Sequence, residues 1–364
     1  MKFQTKGFAE RVLRWQATHG RQHLPWQHTR DPYRVWLSEI MLQQTQVTTV
    51  LGYYARFLER FPHVQALAEA APDEVMALWS GLGYYSRARN LHRCAQQVVA
   101  QWGGTFPCTA EELARLPGIG RSTAGAIAAF CFGQRVPILD ANVRRVLTRV
   151  LGFDADLARA HNEQRLWLQA EALLPRTDLQ TTMPRYTQAL MDLGAGPCAP
   201  RNPACSQCPV ADLCTARHEG APERYPVKTR KLTRRAQPWW LLVLHDAAGR
   251  VWLERRPQRG IWAGLHCVPV FSSRDELFAW LQARFSAEHP LAFTARELAP
   301  FVHVLTHRDL HLHPVRVDLA QGPGCKAVPG ALGAGSAGAW VGAPERAALG
   351  LPAPLRKLLA ELAV

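Results

Sequence analysis

Apolar side chains recur at helical spacing through about the first 218 residues of the chain. Phe8, Val12 and Trp15 stand at positions i, i+4 and i+7, which predicts a helix near the N-terminal end of the sequence. The same spacing, bounded by short glycine or proline breaks, predicts further helices at 72–79, 87–102, 110–116, 122–132, 141–151 and 165–174. This part of the chain is therefore predicted to be mainly α-helical.

A long apolar stripe follows Asp31 and Pro32. Aspartate is a favoured N-cap and proline is favoured at the first helical position, so this pair predicts a helix start. Apolar residues then recur at helical spacing through Trp36, Ile40, Val47, Val50, Leu51, Tyr54 and Leu58. We expect the chain to be helical along this stripe.

The pattern changes to strands beyond residue 238. The segments WWLLVLHD and GRVWLERR are predicted strands joined by a short turn, and VLTHRDLHLHPVRVDL alternates over part of its length. A helix is predicted at 275–285. Residues 219–238 lack an apolar stripe and are rich in Arg and Lys, which predicts an exposed basic linker or a solvated loop. The chain thus divides into a helical region (1–218), a basic linker (219–238) and an α+β domain (239–364).

The charge of the chain favours a polyanionic partner. Lys and Arg number 43 and Asp and Glu 29, which leaves a formal net charge of +14. Nucleic acid is the first partner to expect, and a membrane surface is the second. No apolar run approaches the roughly 20 residues that span a bilayer, and the N-terminal residues lack a secretory signal pattern. We therefore expect a cytoplasmic protein that binds nucleic acid and no membrane.

Four of the nine cysteines crowd into 17 positions, whereas the other five are scattered. Cys198, Cys205, Cys208 and Cys214 have the spacing C-x6-C-x2-C-x5-C, and four thiolates this close can surround one metal centre. An odd total without a secretory signal argues against a disulfide framework. The spacing alone leaves structural zinc and an iron–sulfur cluster open.

The segment LPGIGRSTAGAI, residues 116–127, places a glycine turn before a predicted helix. Backbone N–H groups of such a turn and of a helix N-terminus form an anion site without a charged side chain. The segment lacks G-x-x-x-x-G-K-[ST], and it does not show G-x-G-x-x-G after a strand. A nucleotide cofactor therefore fits poorly, and a plain interhelical turn is the alternative to an anion site.

The cysteine spacing begins just after a helical segment ending MDLGAGPC, and it resembles the iron–sulfur loop of the endonuclease III superfamily of DNA glycosylases. The LPGIG turn is similar to the helix-hairpin-helix element of that superfamily, which grips a phosphate of the DNA backbone. The resemblance implies one [4Fe–4S] cluster held by the four cysteines. It also implies DNA contacts at Gly118 and Gly120.

Two carboxylates are candidates for catalysis in a DNA glycosylase of this superfamily. Glu39 lies in WLSEIMLQQTQV on an otherwise apolar helix, and Asp140 precedes the predicted helix at 141–151. Each has a purely structural explanation, because Glu39 could be a surface residue and Asp140 an N-cap. Yet removal of a purine base needs one protonated acid with a raised pKa and one carboxylate that stays ionised. Glu39 and Asp140 are the candidates for this pair.

The resemblance becomes specific in LSEIMLQQTQV, LWSGLGYYSRARNL, LPGIGRSTAGAI and ILDANVRRVL. With the cysteine loop, these segments resemble adenine DNA glycosylases of the MutY type, over about residues 5–320. That family excises adenine mispaired with 8-oxoguanine or guanine. The resemblance implies a helix-hairpin-helix glycosylase fold followed by a Nudix-like domain, and a monomer whose partner is double-stranded DNA containing A:8-oxoG or A:G mispairs. Glu39 would protonate adenine at N7, and Asp140 would stabilise the sugar cation and help to deliver water.

The resemblance also implies contacts that hold the opened duplex. Gln44 and Tyr84 would wedge into the duplex as adenine is flipped out, because a stacked base cannot reach an enclosed pocket. Thr45 and Leu82, beside them, are further expected DNA contacts. The family usually has glycine after its aspartate, whereas this chain has Ala141, and we expect the extra methyl group to have little effect.

Ser122 bears on whether the DNA strand is cut. In the lyase members of the superfamily, a lysine at this helix position forms a Schiff base with the sugar carbon, and a serine cannot do so. We therefore expect a monofunctional glycosylase with little β-lyase activity. Ser122 is included among the expected DNA contacts.

The C-terminal domain, from Trp239 onward, resembles a Nudix-like fold. A Nudix pyrophosphatase needs a glutamate-rich helix to hold Mg²⁺, and GIWAGLHCVPVFSS, where that segment would begin, lacks the carboxylates. The domain is therefore expected to recognise rather than to hydrolyse. The family reads 8-oxoguanine with a Phe-Ser/Thr-His loop, so Thr306 and His307 are expected to contact it, whereas Leu305 departs from the aromatic residue.

Three alternatives stay open. An endonuclease III-like glycosylase/lyase acting on damaged pyrimidines shares the turn and the cysteine loop, but Ser122, the QQTQV segment and the extra domain disfavour it. A non-catalytic nucleic-acid-binding iron–sulfur protein would require Glu39 and Asp140 to be idle. An active Nudix hydrolase lacks its metal-binding helix. The expected location is the bacterial cytoplasm, in association with the nucleoid.

Overall fold

The structure is a computed structural model that describes residues 7–227, 229, 233–284, 293–319 and 338–362. The chain forms two compact units. Met1–Glu69 and Asn90–Lys231 make up the first, called here the helical unit. Ala70–Arg89 and Leu232–Val364 make up the second, called here the sheet unit. Residues 228 and 230–232 of the predicted linker lie outside the described residues.

Helices dominate the chain up to residue 218, which confirms the mainly α-helical prediction. In chain order they are α1 (Phe8–His19), α2 (Pro32–Leu42), α3 (Val47–Arg60), α4 (Val64–Glu69), α5 (Pro72–Trp79), α6 (Ser86–Trp102), α7 (Ala110–Leu113), α8 (Arg121–Phe132), α9 (Ala141–Leu151), α10 (Ala160–Ala172), α11 (Leu179–Ala195) and α12 (Thr215–His218). Helices α5 and α9 have the predicted ends. Helices α6 and α8 begin one residue earlier than predicted, and α7 ends three residues earlier.

The apolar stripe after Asp31 is not a single helix. Helix α2 ends at Leu42 and α3 begins at Val47. Between them Gln44 has a φ of 57°, in the left-handed region, where a residue cannot continue a right-handed helix. The expectation of a continuous helix along the stripe is therefore wrong, because apolar spacing continues across a backbone break that periodicity does not reveal.

The core of the helical unit fixes the start of α9. One apolar stripe of this helix is at most 3% exposed, and it comprises Val143, Val146, Leu147 and Val150. Helix α8 packs closely against the segment that leads into α9. A Cβ atom at Gly125 would lie only 2.6 Å from the carbonyl oxygen of Pro137. Close packing on both sides therefore positions Asp140, the residue between this segment and α9.

Among its described residues, the sheet unit combines eight strands with three further helices, which confirms the α+β prediction. They are β1 (Arg235–His245), β2 (Val251–Arg255), β3 (His266–Cys267), β4 (Val270–Phe271), α13 (Arg274–Arg284), β5 (Phe293–Glu297), β6 (Phe301–Val304), β7 (Arg308–Leu319), β8 (Gly338–Val341), α14 (Ala343–Arg346) and α15 (Ala353–Glu361). The main sheet order is β3-β2-β1-β7-β5, with β4 beside β1, β6 beside β7 and β8 beside β2.

Strands β1 and β7 are the long central pair of this sheet. They run parallel, with Arg235 opposite Arg308 and His245 opposite Asp318. This pairing extends β1 back to Arg235, so the strand starts four residues before the predicted one and inside the range expected to be linker. Strand β6 runs antiparallel to the first part of β7. The turn that contains Thr306 therefore joins two neighbouring strands at one end of the sheet.

Residues 70–89 belong to the sheet unit, although their apolar pattern places them in the helical region. The hydroxyl groups of Ser80 and Tyr85 donate to the carbonyl oxygen of Leu351, at 2.7 and 3.1 Å. Arg255 of β2 pairs with Asp73. These contacts place the loop before α6 in the same unit as the β6–β7 turn.

Candidate active site

Glu39 lies in α2 and lines a cavity of about 520 Å³ in the helical unit. Helix α2 starts as predicted, because the Asp31 carboxylate accepts a hydrogen bond from the N–H of Tyr33, at 2.9 Å. The Glu39 side chain is half-buried rather than on the outer surface. Apolar parts of the cavity wall come from Trp26, Val35, Phe130 and Pro184.

Burial raises the pKa of the Glu39 carboxyl to about 8, and the negative charge of Asp140 is the second cause of the rise. At pH 7 most Glu39 side chains are therefore protonated. A neutral carboxylic acid that lines a cavity is able to donate a proton to a weakly basic ring nitrogen bound there.

Asp140 is the N-cap of α9, which is the structural role that the sequence allowed for it. Its Oδ1 atom accepts a hydrogen bond from the N–H of Val143, at 2.7 Å. Burial raises the pKa of Asp140, whereas the N–H groups of Val143 and Asn142 and the guanidinium groups of Arg145 and Arg144 oppose this rise. The positive end of the α9 dipole also favours a negative charge here.

Burial raises the pKa of both carboxyls, and the groups around Asp140 oppose the rise there. Burial and the negative charge of Asp140 oppose ionisation of the Glu39 carboxyl. Asp140 has donors and cations around it that favour its anion. These surroundings favour Glu39 over Asp140 as the carboxyl that holds a shared proton. One acid and one carboxylate are the two groups that hydrolysis of a glycosidic bond requires.

Gln44 and Tyr84 share an unusual backbone conformation. Their φ angles are 57° and 48°, and both side chains are exposed. A left-handed conformation costs a non-glycine residue about 1–2 kcal/mol and persists only where its surroundings impose it. Next to Gln44, the side-chain amide of Gln43 donates to the hydroxyl oxygen of Thr123 on α8, at 3.3 Å. Both predicted wedge residues thus project from sharp turns.

Thr45 and Leu82 are less exposed than the wedge residues beside them. The Thr45 hydroxyl donates to the carbonyl oxygen of Gln43, at 3.3 Å. Leu82 is only 6% exposed. The Thr45 side chain thus supports the turn at Gln44, and direct contact of Thr45 and Leu82 with DNA stays a prediction.

Thr306 and His307 are exposed at the turn between β6 and β7, whereas Leu305 is half-buried. The N–H of Leu305 donates to the carbonyl oxygen of Arg308, at 2.8 Å, and closes the turn. Within the sheet unit, the hydroxyl oxygens of Thr306 and Tyr84 lie 3.4 Å apart. The turn thus presents a hydroxyl and an imidazole beside one of the predicted wedge residues.

The glycine turn before α8 is open on the side of the helix N-terminus. Gly118 has a φ of 77°, and a Cβ atom there would lie 2.7 Å from the Cβ of Asn90, so glycine is required. Gly120 is the N-cap of α8, with no side-chain cap and open space around its Cα. The first N–H groups of α8 are therefore placed as an anion site requires.

Ser122 contacts the residue before Asp140, and Ala141 is the residue after it. The Ser122 hydroxyl oxygen accepts a hydrogen bond from the N–H of Leu139, at 3.1 Å, so it faces the segment that leads into Asp140. Ala141 is exposed at the first position of α9. The methyl group of Ala141 therefore does not crowd the helix start.

The four cysteines of the loop line one small cavity against α9. Arg149 of α9, 2% exposed, donates to Sγ of Cys198 at 3.3 Å and to the carbonyl oxygens of Ala199 and Pro200. A buried guanidinium whose acceptors are a sulfur and carbonyl oxygens can compensate the negative charge of thiolate ligands. Among the described residues, no group of three or more His, Cys, Asp or Glu side chains is placed to hold a metal ion. The thiol donors, their shared cavity and the guanidinium fit a thiolate-bound metal centre.

The cavity beside Glu39 also contains amide groups that the sequence did not single out. The Oε1 atom of Gln27 accepts a hydrogen bond from the N–H of Leu24, whereas its Nε2 atom is buried without a partner among the described residues. Gln188 of α11 also lines the cavity, and its amide donates to Asp192 at 2.8 Å. Glutamines on separate elements form no sequence motif, so only the fold reveals that they meet.

Three family descriptions match the chain. Residues 37–170 match the HhH-GPD superfamily of base excision DNA repair proteins, 198–214 match the iron-sulfur binding domain of endonuclease III, and 239–361 match the NUDIX domain. The fold and the site thus define a base-excision DNA repair protein with an iron–sulfur loop and a Nudix-like domain. No helix in the described ranges is long and apolar enough to cross a membrane.

Comparison with relatives narrows this class. The chain is 33% identical over 356 residues to an adenine DNA glycosylase of Buchnera aphidicola subsp. Schizaphis graminum, and the alignment covers 97% of both proteins. The chain belongs to the adenine DNA glycosylase family, as its motifs indicated. It is 46% identical over 219 residues to human adenine DNA glycosylase, covering 58% of this chain and 39% of the human one. A solved structure described as a thermostable thymine-DNA glycosylase matches with a TM-score of 0.52 and 29% identity, over 59% of this chain and 97% of that one.

Proposed function

We propose that the protein removes adenine from A:8-oxoG and A:G mispairs in double-stranded DNA by hydrolysis of the N-glycosidic bond. One observation carries the proposal: Glu39 lines a cavity of about 520 Å³, and the negative charge of Asp140, at the start of α9, acts on it. Membership of the adenine DNA glycosylase family supports adenine as the base. We further propose that the enzyme acts as a monomer on nucleoid DNA in the bacterial cytoplasm.

The chemistry follows from the two protonation states. Glu39 donates its proton to N7 of adenine, so the electrons of the breaking C1′–N9 bond move into a neutral leaving base. The sugar develops positive charge as an oxocarbenium ion, and the ionised Asp140 stabilises it. Water then attacks C1′ and gives up a proton, which Asp140 can accept. The products are free adenine and an abasic site.

The cavity has groups suited to a flipped purine. Trp26 and Phe130 offer flat apolar surfaces, and the unpartnered Nε2 atom of Gln27 is a donor for a ring nitrogen. A buried donor that lacks an acceptor is costly, so binding of a base with an acceptor in the right place is favoured. These contacts can form only with a base that has left the stack. Gln44 and Tyr84 are proposed to hold the duplex open while adenine is flipped out.

The substrate is tested with a panel of duplexes that share one sequence. The panel pairs adenine with 8-oxoG, G, C or T, and adds G:T and thymine glycol duplexes, with alkali treatment to reveal abasic sites. We expect abasic sites opposite 8-oxoG and G. Release of thymine or thymine glycol instead of adenine would favour the pyrimidine-specific alternative, and no release from any duplex would favour the non-catalytic one.

We propose that Cys198, Cys205, Cys208 and Cys214 hold one [4Fe–4S] cluster. The cluster would supply no step of base release but would stiffen the loop that Arg149 joins to α9. The purified protein is expected to be brown and to contain four iron and four acid-labile sulfide per chain. Stoichiometric zinc without sulfide would overturn this assignment.

Thr306 and His307 are proposed to read 8-oxoguanine opposite the adenine. Their exposed side chains stand beside Tyr84, and they offer a hydroxyl and an imidazole for hydrogen bonds. The double variant Thr306→Ala, His307→Ala is expected to lower the ratio of excision rates on A:8-oxoG and A:G duplexes about tenfold, as loss of one or two hydrogen bonds would. Thr294→Ala on β5 is the matched control, and an unchanged ratio in the double variant would refute the proposed contact.

We propose that the enzyme does not cleave the strand, because Ser122 supplies no amine for a Schiff base. Borohydride is expected to trap almost no covalent complex of the wild-type enzyme with an A:8-oxoG duplex. Ser122→Lys is the positive control, since a lysine here could attack the sugar carbon. Efficient trapping of the wild type would contradict the proposal.

A further inference from the structure

The segment from Pro137 to Leu139 leads directly into Asp140 and is seated on α8. The N–H of Leu139 donates to the Ser122 hydroxyl oxygen at 3.1 Å. One turn further along the same face, a Cβ atom at Gly125 would lie 2.6 Å from the Pro137 carbonyl oxygen. Two independent contacts of α8 therefore hold this segment.

The Leu139 amide depends on Ser122 for its hydrogen bond. Leu139 is only 3% exposed, so its N–H has little access to water. Removal of the Ser122 hydroxyl would leave a buried donor without an acceptor, which is costly unless the segment moves. A shift of the Leu139 peptide is transmitted to the next residue, which is Asp140.

Asp140 is thus anchored from two sides. On its C-terminal side, the carboxylate is held by the N–H of Val143 in α9. On its N-terminal side, the backbone is extended, with φ −68° and ψ 177°, and the preceding amide is fixed by Ser122. The carboxylate must stand close to the sugar carbon where positive charge develops, and rate falls steeply with small errors in such a position.

We propose that Ser122 is a positioning residue, which holds the peptide before Asp140 and thereby places the carboxylate for stabilisation of the sugar cation. This inference rests on the proposed function. Ser122 itself does not touch the reacting atoms, and its hydroxyl serves the protein segment rather than the DNA. Ser122 therefore has a role of its own, besides the absence of the lysine that a lyase has at this position.

The test measures single-turnover adenine release and duplex affinity separately. Ser122→Ala is expected to lower the rate constant on an A:8-oxoG duplex about tenfold or more, with the Kd for a duplex containing a non-cleavable 2′-fluoro-adenosine unchanged within about twofold. Ser122→Thr keeps the hydroxyl and is expected to retain a rate within about threefold of wild type. Thr148→Ala is the control for lost stability. It removes a buried hydroxyl that donates to the carbonyl oxygen of Arg144 within α9, at 2.8 Å.

A double-mutant cycle shows whether the effect passes through Asp140. In an Asp140→Asn background, Ser122→Ala is expected to cause little further loss of rate. The inference would be overturned if Ser122→Ala kept the full rate or if Ser122→Thr lost as much rate as Ser122→Ala. It would also be overturned if the loss were additive in the Asp140→Asn background, or if only Kd changed. Absence of adenine release by the wild-type enzyme would instead overturn the proposed function, and this inference with it.

Discussion

Replacement of Glu39 by glutamine is expected to lower the single-turnover rate constant of adenine release by about 10²- to 10⁴-fold, the range typical of general acid catalysis. Glutamine keeps the size and polarity of the side chain on α2 but has no carboxylic proton to donate. The Kd for a non-cleavable A:8-oxoG duplex is expected to stay within about threefold of wild type. Glu59→Gln, at an exposed position of α3, is the matched control. Undiminished base release by Glu39→Gln would show that Glu39 is idle.

Glu39→Gln is expected to lower the rate of adenine release but to raise the stability of the protein at high pH relative to the wild type. Because the pKa of Glu39 rises from 4.5 to about 8 on folding, the stability that this group contributes is present below pH 4.5 and is lost as pH rises through about 8. Glutamine cannot ionise, so Glu39→Gln should avoid this loss. The difference in Tm between the variant and the wild type is expected to increase from pH 5 to pH 9. A pH-independent difference would contradict the raised pKa.

Replacement of Asp140 by asparagine is expected to lower the rate constant of adenine release by about 10²- to 10³-fold, because the developing sugar cation loses its neighbouring negative charge. Asparagine is as good an N-cap as aspartate, so it can still accept the hydrogen bond from Val143. The substitution therefore separates the two roles that Asp140 could have. Tm is expected to change by only a few degrees, whereas activity is nearly lost.

Asp31→Asn is the matched control for this second prediction. Asp31 caps α2 as Asp140 caps α9, with a hydrogen bond from Tyr33 at 2.9 Å. We expect this variant to retain nearly full activity. Equal activity in Asp140→Asn would mean that Asp140 only caps its helix, and a large fall in Tm would mean that its charge is needed for folding.

Local signals were sufficient to predict most helices. The ends of α9 follow from Asp140 as N-cap and from a regular apolar stripe, and the start of α2 follows from Asp31 and Pro32. Both kinds of signal involve residues within a few positions of one another, so tertiary context changes them little. The helical region and the α+β domain were predictable for the same reason.

Features that depend on distant contacts were not predictable. The break at Gln44 is imposed by its surroundings, and glutamine gives no sign of a left-handed conformation. The assignment of residues 70–89 to the sheet unit depends on hydrogen bonds to Leu351, more than 260 positions away. Glu39 and Asp140 were found through their motifs, but the raised pKa of Glu39 depends on a cavity that also includes residues of α11.

The role of Glu39 is tested most directly by the pH dependence of single-turnover adenine release by the wild-type enzyme on an A:8-oxoG duplex. Release of adenine requires a protonated Glu39, and the pKa of this carboxyl is raised to about 8. The rate constant is therefore expected to be nearly constant at neutral pH, and to fall about tenfold per pH unit once the pH is well above 8. A rate constant that stays level or increases between pH 8 and pH 9.5 would contradict the central claim that Glu39 acts as the acid.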